Sequence, residues 1–86
     1  RSGGDEFCVL LPECGRQEAY LLANAFVELI AKRTMVLRRE ITSITVSAGV
    51  AGFPDDAGAR DELIQKADAA LYEAKKKGRN RVCLSA

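Results

Sequence analysis

The apolar positions of this chain fall into clusters separated by polar and glycine-bearing breaks. Phe7-Cys8-Val9-Leu10-Leu11 is a continuous apolar run ended by Pro12. A run this short, bounded by turn residues, predicts a strand buried on both faces. Gly15 then opens a helical pattern. Ala19, Leu22, Ala23, Phe26 and Ile30 recur at helical spacing and predict one apolar stripe, with Arg16, Glu18, Glu28 and Lys32 at polar positions. Residues 34–40 show no clear period and are read as irregular. From Ile41 to Ala51 a strand is predicted, with Ile44, Val46, Ala48 and Val50 on one face and Thr45, Ser47 and Gly49 on the other. Small residues on that second face let a helix pack closely, or leave room for a ligand. Residues 52–58 (Gly-Phe-Pro-Asp-Asp-Ala-Gly) are a loop by composition. A second helix is predicted from about Arg60 to Lys77, turning Leu63, Ala67, Ala70, Leu71 and Ala74 to the core. Gly78 suits the left-handed position just past its end. Arg81 to Ser85 returns as a short strand. The order strand, helix, strand, helix, strand implies an α/β or α+β sandwich with helices on a sheet. The chain shows no internal repeat, low-complexity tract or second domain.

Composition narrows the picture. The 86 residues suffice for one small domain at most. At that size folding buries only about 60–65 % of the surface of the unfolded chain. A net charge of +1 gives no global electrostatic case for a nucleic-acid or membrane partner. No apolar run approaches the ~18 residues of a membrane span, and no signal peptide is visible. Three cysteines, with no CxxC pair, argue against a disulfide framework or structural zinc site. Cys8 and Cys83 sit in apolar stretches and read as small core residues, reduced in a cytosolic compartment. The absence of histidine excludes Ser-His and Cys-His catalysis. Chemistry here must use carboxylates, lysines, arginines or a metal.

Gly3-Gly4-Asp5-Glu6-Phe7 is the segment richest in candidate chemistry. Two glycines make a tight turn, and two carboxylates follow at the mouth of the predicted strand. A carboxylate there is a good hard ligand for Mg²⁺, which completes its shell with water and substrate phosphates. The glycines permit close backbone approach. On an extended strand the adjacent side chains of Asp5 and Glu6 point to opposite faces, so only one faces a given site unless the turn twists them together. The same string is equally an ordinary hairpin turn. It stands at the start of the chain, with one strand of its hairpin missing, so the expectation is the second half of a catalytic domain. Lys75, Lys76, Lys77 and Arg79 form a second cluster. Lys75 and Arg79 are four apart and can share a helix face that clamps a phosphate. Alternatively, cations in a last turn merely offset the helix dipole, by about 0.3–1 kcal/mol. Asp68 and Tyr72 read as a local pair, Asp55 and Asp56 make a poor metal site, and Thr45 and Ser47 read as strand hydroxyls.

Taken together these segments resemble the GGDEF family, the diguanylate cyclases. Three blocks carry the resemblance: Arg1-Ser2-Gly3-Gly4-Asp5-Glu6-Phe7; Ile44-Thr45-Val46-Ser47-Ala48-Gly49-Val50-Ala51; and Ala67 to Lys75, continuing through Gly78-Arg79-Asn80-Arg81-Val82. They cover essentially the whole chain, in the family's order and spacing. Ala48 stands where the family usually has isoleucine.

The resemblance implies a nucleotidyl-cyclase-like palm, with residues 1–86 forming a single partial GGDEF domain that starts at the GGDEF turn. It implies condensation of two GTP molecules into cyclic di-GMP with release of two pyrophosphates. In that scheme Asp5 binds Mg²⁺ (or Mn²⁺) and helps activate the 3′-hydroxyl, and Glu6 is the second catalytic acid. Gly3 and Gly4 lie against the nucleotide, and Lys75 and Arg79 contact its phosphates. Lys76 and Lys77 stay solvated, and Asp68 and Tyr72 stay structural. Two domains must meet for the reaction, so a homodimer is implied. The family's upstream metal-binding Asp, its guanine-reading Asn and Asp, and its RxxD product site are not in this sequence. The expectation is therefore that the 86-residue chain alone lacks significant activity and is open to strand or segment exchange. The rival expectation is a non-catalytic GTP-binding or dimerisation module of a signalling protein. A cytoplasmic location is expected, within a parent that is either soluble or membrane-anchored.

Overall fold

The computed structural model describes residues 14–37 and 40–86, with side chains at 14–33 and 44–86. The predicted strand at Phe7–Leu11 lies outside the described residues.

Helix α1 spans Arg16–Ala31 and begins after Gly15, whose backbone is extended (φ −72°, ψ 163°) and whose carbonyl accepts from Ala19 N at 2.9 Å. Its buried line runs through Ala19, Tyr20, Ala23 and Val27, which shares Ala19 and Ala23 with the predicted stripe but turns away from Leu22 and Phe26. Leu22 and Phe26 are 55 % and 56 % exposed, whereas Val27 is buried. The reason is visible in the residues. Leu21, Leu22, Phe26, Val27, Leu29 and Ile30 wrap much of the helix in apolar surface, so period alone picks no side. Alanines at 19 and 23 let the helix approach the sheet, and Val27 is the next residue on that line, one turn on from Ala23.

Two short strands follow, the first inside the segment 34–40 that the pattern reads as irregular and the second overlapping the start of the predicted strand. β1 (Thr34–Leu37) and β2 (Glu40–Ser43) pair antiparallel, from Thr34↔Ser43 to Leu37↔Glu40. The predicted single strand from Ile41 to Ala51 is thus divided: β2 ends at Ser43, and β3 covers only Ala48–Val50. Alternation reports burial rather than pairing. Val46 packs against the core although residues 44–47 belong to no sheet. Ladder bonds begin where Ala48 N donates to Arg81 O at 3.0 Å.

Helix α2 spans Arg60–Lys76 and returns the chain to β4 (Val82–Leu84), which lies parallel to β3 in the register Ala48↔Val82, Gly49↔Cys83, Val50↔Leu84. This β-α-β crossover is what a parallel pair requires. The two helices cover opposite faces of the pair, as expected for a parallel sheet. Ala48 and Val50 pack with Val82, Leu84 and α1's Val27. Gly49, between them, faces α2. A Cβ there would fall inside contact distance of Ala67 O and Leu71 N. Close helix packing, rather than room for a ligand, accounts for the small residue at 49. Ala70 and Ala74 are buried on α2, and Leu63, Ala67 and Leu71 are half-buried, as the pattern predicts.

The loop after β3 pins the start of α1. Arg16 Nη2 donates to Ser85 O at 2.7 Å, and Arg16 Nε lies 3.3 Å from Asp56 Oδ2. That Nε is buried and makes no hydrogen bond, so charge rather than a directed bond holds it there. Asp56 Oδ2 accepts instead from Gly52 N at 2.7 Å, while Asp56 N donates to Gly52 O at 2.7 Å. Among the described residues no helix is long and apolar enough to cross a membrane.

Candidate functional site

Of the residues predicted to carry chemistry, Gly3, Gly4, Asp5 and Glu6 lie outside the described residues. Lys75 and Arg79 are described, and the structure corrects how they are related. They do not share a helix face, because α2 ends at Lys76. Lys75 is half-buried in the last helical turn, whereas Arg79 is exposed in the loop beyond it.

That loop is unusual in its backbone. Gly78, Arg79 and Asn80 all have positive φ, at 122°, 63° and 51°. The left-handed conformation costs an ordinary L-residue about 1–2 kcal/mol, less for asparagine and nothing for glycine. Hydrogen bonds hold the chain there. Gly78 N donates to Lys75 O at 3.3 Å, and Arg79 N to Ala74 O at 2.9 Å. This is a Schellman ending, which caps the last carbonyls of α2 and folds Arg79 back beside the turn that carries Lys75. Asn80 N then donates to Ser47 Oγ at 3.1 Å, tying the loop to the segment that enters β3. Arg81 closes the other side. Its Nε donates to Arg79 O at 3.0 Å, and its guanidinium lies over Gly78, where an added Cβ would be 3.1 Å from Nη2.

The electrostatics follow from this arrangement. The C-terminus of a helix carries partial negative charge and repels anions. Successive loop N–H groups can cradle an anion, but here the N–H groups of Gly78, Arg79 and Asn80 are all engaged. What this loop offers an anion is therefore its side chains. Lys75 and Lys76 in the last turn, then Lys77, Arg79 and Arg81, supply the positive charge. Sequence reasoning treated Ser47 as a plain strand hydroxyl and gave Arg81 no role. The available signal was the Gly-Arg-Asn string, since glycine and asparagine are the residues most tolerant of positive φ.

Among the described residues no group of three or more His, Cys, Asp or Glu side chains is placed to hold a metal. Asp56 is committed to Gly52 and Arg16. Cys14 is a free, half-buried thiol just ahead of α1. Partial burial, together with a hydrogen bond to Glu18 and its negative charge, pushes this thiol's pKa up from its ordinary 9.0.

Comparison with known proteins identifies the chain. The family description "Diguanylate cyclase, GGDEF domain" matches residues 1–81. The chain is 41 % identical over 83 residues to the bifunctional diguanylate cyclase/cyclic di-GMP phosphodiesterase MucR of Pseudomonas aeruginosa, covering 96 % of this chain and 12 % of that protein. It is 33 % identical over 85 residues to diguanylate cyclase A of Treponema denticola, covering 99 % of this chain and 23 % of that protein. The chain thus spans less than a quarter of the length of either relative. The crystal structure of the GGDEF domain of DgcB from Caulobacter crescentus, in complex with c-di-GMP, superposes with a TM-score of 0.74 and 31 % identity, over 86 % of this chain and 43 % of that one. The parallel β3–β4 pair flanked by two helices is therefore part of a cyclase-like palm, and the chain belongs to the GGDEF diguanylate cyclase family.

Proposed function

We propose that the protein carrying this chain condenses two GTP molecules into cyclic di-GMP and two pyrophosphates. The observation that carries the proposal is the left-handed Arg79, folded back by its bond to Ala74 O onto the helical turn that bears Lys75. Strained, left-handed non-glycine residues concentrate at functional sites, and this one bears a guanidinium suited to phosphate. In this reading Lys75 and Arg79 bind the GTP phosphates and neutralise the charge that builds as pyrophosphate leaves.

Gly3 and Gly4 let the backbone lie against the nucleotide. Asp5 and Glu6 are the catalytic acids, and Asp5 would also hold Mg²⁺ or Mn²⁺. Such an ion, when bound, neutralises phosphate charge and lowers the pKa of a coordinated hydroxyl. Each 3′-hydroxyl oxygen attacks the α-phosphorus of the other GTP. One P–O bond forms, the bond to pyrophosphate breaks, and the hydroxyl proton passes toward the carboxylate pair. Carrying this out twice requires two domains facing each other across a two-fold axis, which makes a homodimer part of the proposal. The domain assignment, residues 1–86 as part of one GGDEF domain, belongs to the same reading.

Incubating the full-length protein with GTP and Mg²⁺ and separating the nucleotides by chromatography tests it. Cyclic di-GMP is expected from the wild type and none from Asp5→Ala. Equal turnover by the variant would reject the role given to Asp5. Tight GTP binding without product would favour a non-catalytic binding module.

A further inference from the structure

We infer that Ser47 is a positioning residue for Arg79, setting the conformation in which the loop after α2 presents its guanidinium. The inference rests on the reading of Arg79 as a phosphate-binding residue. Arg79 and Asn80 both adopt positive φ, 63° and 51°, a conformation that needs support. On the helix side the support is the Schellman bond from Arg79 N to Ala74 O at 2.9 Å. On the strand side the side-chain contact is Asn80 N to Ser47 Oγ at 3.1 Å, bridging 33 residues of sequence. The next residue, Arg81, is already committed to the sheet through its carbonyl, which accepts from Ala48 N at 3.0 Å. The loop is therefore strung between a helix end and a strand start, and Ser47 holds its middle. Ser47 is half-buried and immediately precedes β3, so its backbone is fixed by the adjoining ladder. A serine there is more than a polar strand residue. It accepts from Asn80 N, whereas the N–H groups of the two preceding positive-φ residues bond to α2.

A hydrogen bond of this kind contributes a factor of about 2 to 10 to a conformational equilibrium. If binding requires the ordered loop, nucleotide affinity falls in proportion to the fraction of molecules that keep it. Ser47→Ala is thus expected to weaken binding without touching the ligand. Threonine keeps the hydroxyl and suits an extended segment, so Ser47→Thr is the conservative control.

The test measures binding of a non-hydrolysable GTP analogue to the full-length protein by calorimetry. Wild type, Ser47→Ala, Ser47→Thr, Arg79→Ala and the Ser47→Ala/Arg79→Ala double variant are compared. Expected are a Kd raised by about 2-fold or more, to at most about 10-fold, by Ser47→Ala, a Kd equal to wild type within error for Ser47→Thr, and at least about a 10-fold rise for Arg79→Ala. The double variant is expected to bind like Arg79→Ala alone, because Ser47 acts through Arg79. Wild-type affinity in Ser47→Ala, or losses that simply add in the double variant, would overturn the positioning role while leaving Arg79 in place. Unchanged affinity in Arg79→Ala would instead remove the reading on which the inference rests.

Discussion

The two helices are anchored at opposite ends, by different chemistry. α1 is fixed at its start, where Arg16 reaches Ser85 O and Asp56 beside the turn at Gly52. Its far end passes through Lys32 in ordinary right-handed backbone, with no basic residue in the last turn. α2 begins with its first turn exposed, and its Arg60–Asp61 pair, 3.7 Å apart, is almost fully solvated. Its start is held only locally, by Gly58 N donating to Glu62 Oε1 at 3.0 Å, and its tie to the sheet lies at its end, in three positive-φ residues bonded to its own carbonyls and to Ser47. A partly buried charge secures the first anchor and spends the charge in doing so. Backbone bonds secure the second and leave the Arg79 side chain exposed. The end built from backbone is the one able to meet a ligand.

Substitutions can break this contrast. The largest effect is expected where α2 docks. Gly49→Ala drives a methyl into the backbone of α2 at Ala67 and Leu71 and should cost about 3 kcal/mol by chemical denaturation. A cost under about 0.5 kcal/mol, typical of an exposed site, would contradict the close approach. Asp56→Ala should come next. It removes the acceptor of Gly52 N and leaves the buried Arg16 Nε without its counter-charge, a loss of about 2 kcal/mol. Gly78→Ala should cost about 1–2 kcal/mol, because φ is +122° and the Arg81 guanidinium occupies the space above it. Arg60→Ala, in the solvated pair at α2's start, should stay within about 0.5 kcal/mol. Equal losses at 60 and 78 would erase the asymmetry between the two ends of α2.

A smaller effect sharpens the view of the α1 start. Thiolate is the form of Cys14 that reacts with alkylating agents. A pKa raised by burial and by Glu18 means less thiolate at any pH below it, so Cys14 should react more slowly than a free cysteine at pH 8. Glu18→Gln removes the negative charge but not the burial, lowers the pKa, and should speed alkylation. An unchanged rate would show that Glu18 does not govern this thiol.

Both helices and the closing strand were legible because their apolar spacing persists over several turns, and Gly15 and Gly78 mark where backbone habit changes. On α2 even the buried side was legible, since its small apolar residues stand against charged ones. On α1 it was legible only at Ala19 and Ala23, because Phe26 and Val27 are neighbours on a helix apolar over much of its circumference. The β1–β2 hairpin escaped notice because Arg38-Arg39, between the paired Leu37 and Glu40, carries none of the glycine, proline or asparagine that signals a turn. Lys75 and Arg79 are candidates by resemblance and by charge. Their relation in space depends on left-handed backbone, which a four-residue spacing does not encode. Ser47 was missed because its partner is a backbone N–H distant in sequence.

The most direct test of the account is a single substitution read two ways in the full-length protein. Arg79→Gly removes the guanidinium and relieves the left-handed strain together. Stability is expected to be unchanged or raised by about 0.5–1 kcal/mol, with affinity for a non-hydrolysable GTP analogue reduced at least about 10-fold. Wild-type affinity in that variant would contradict the claim that the strained loop exists to present Arg79 to the nucleotide.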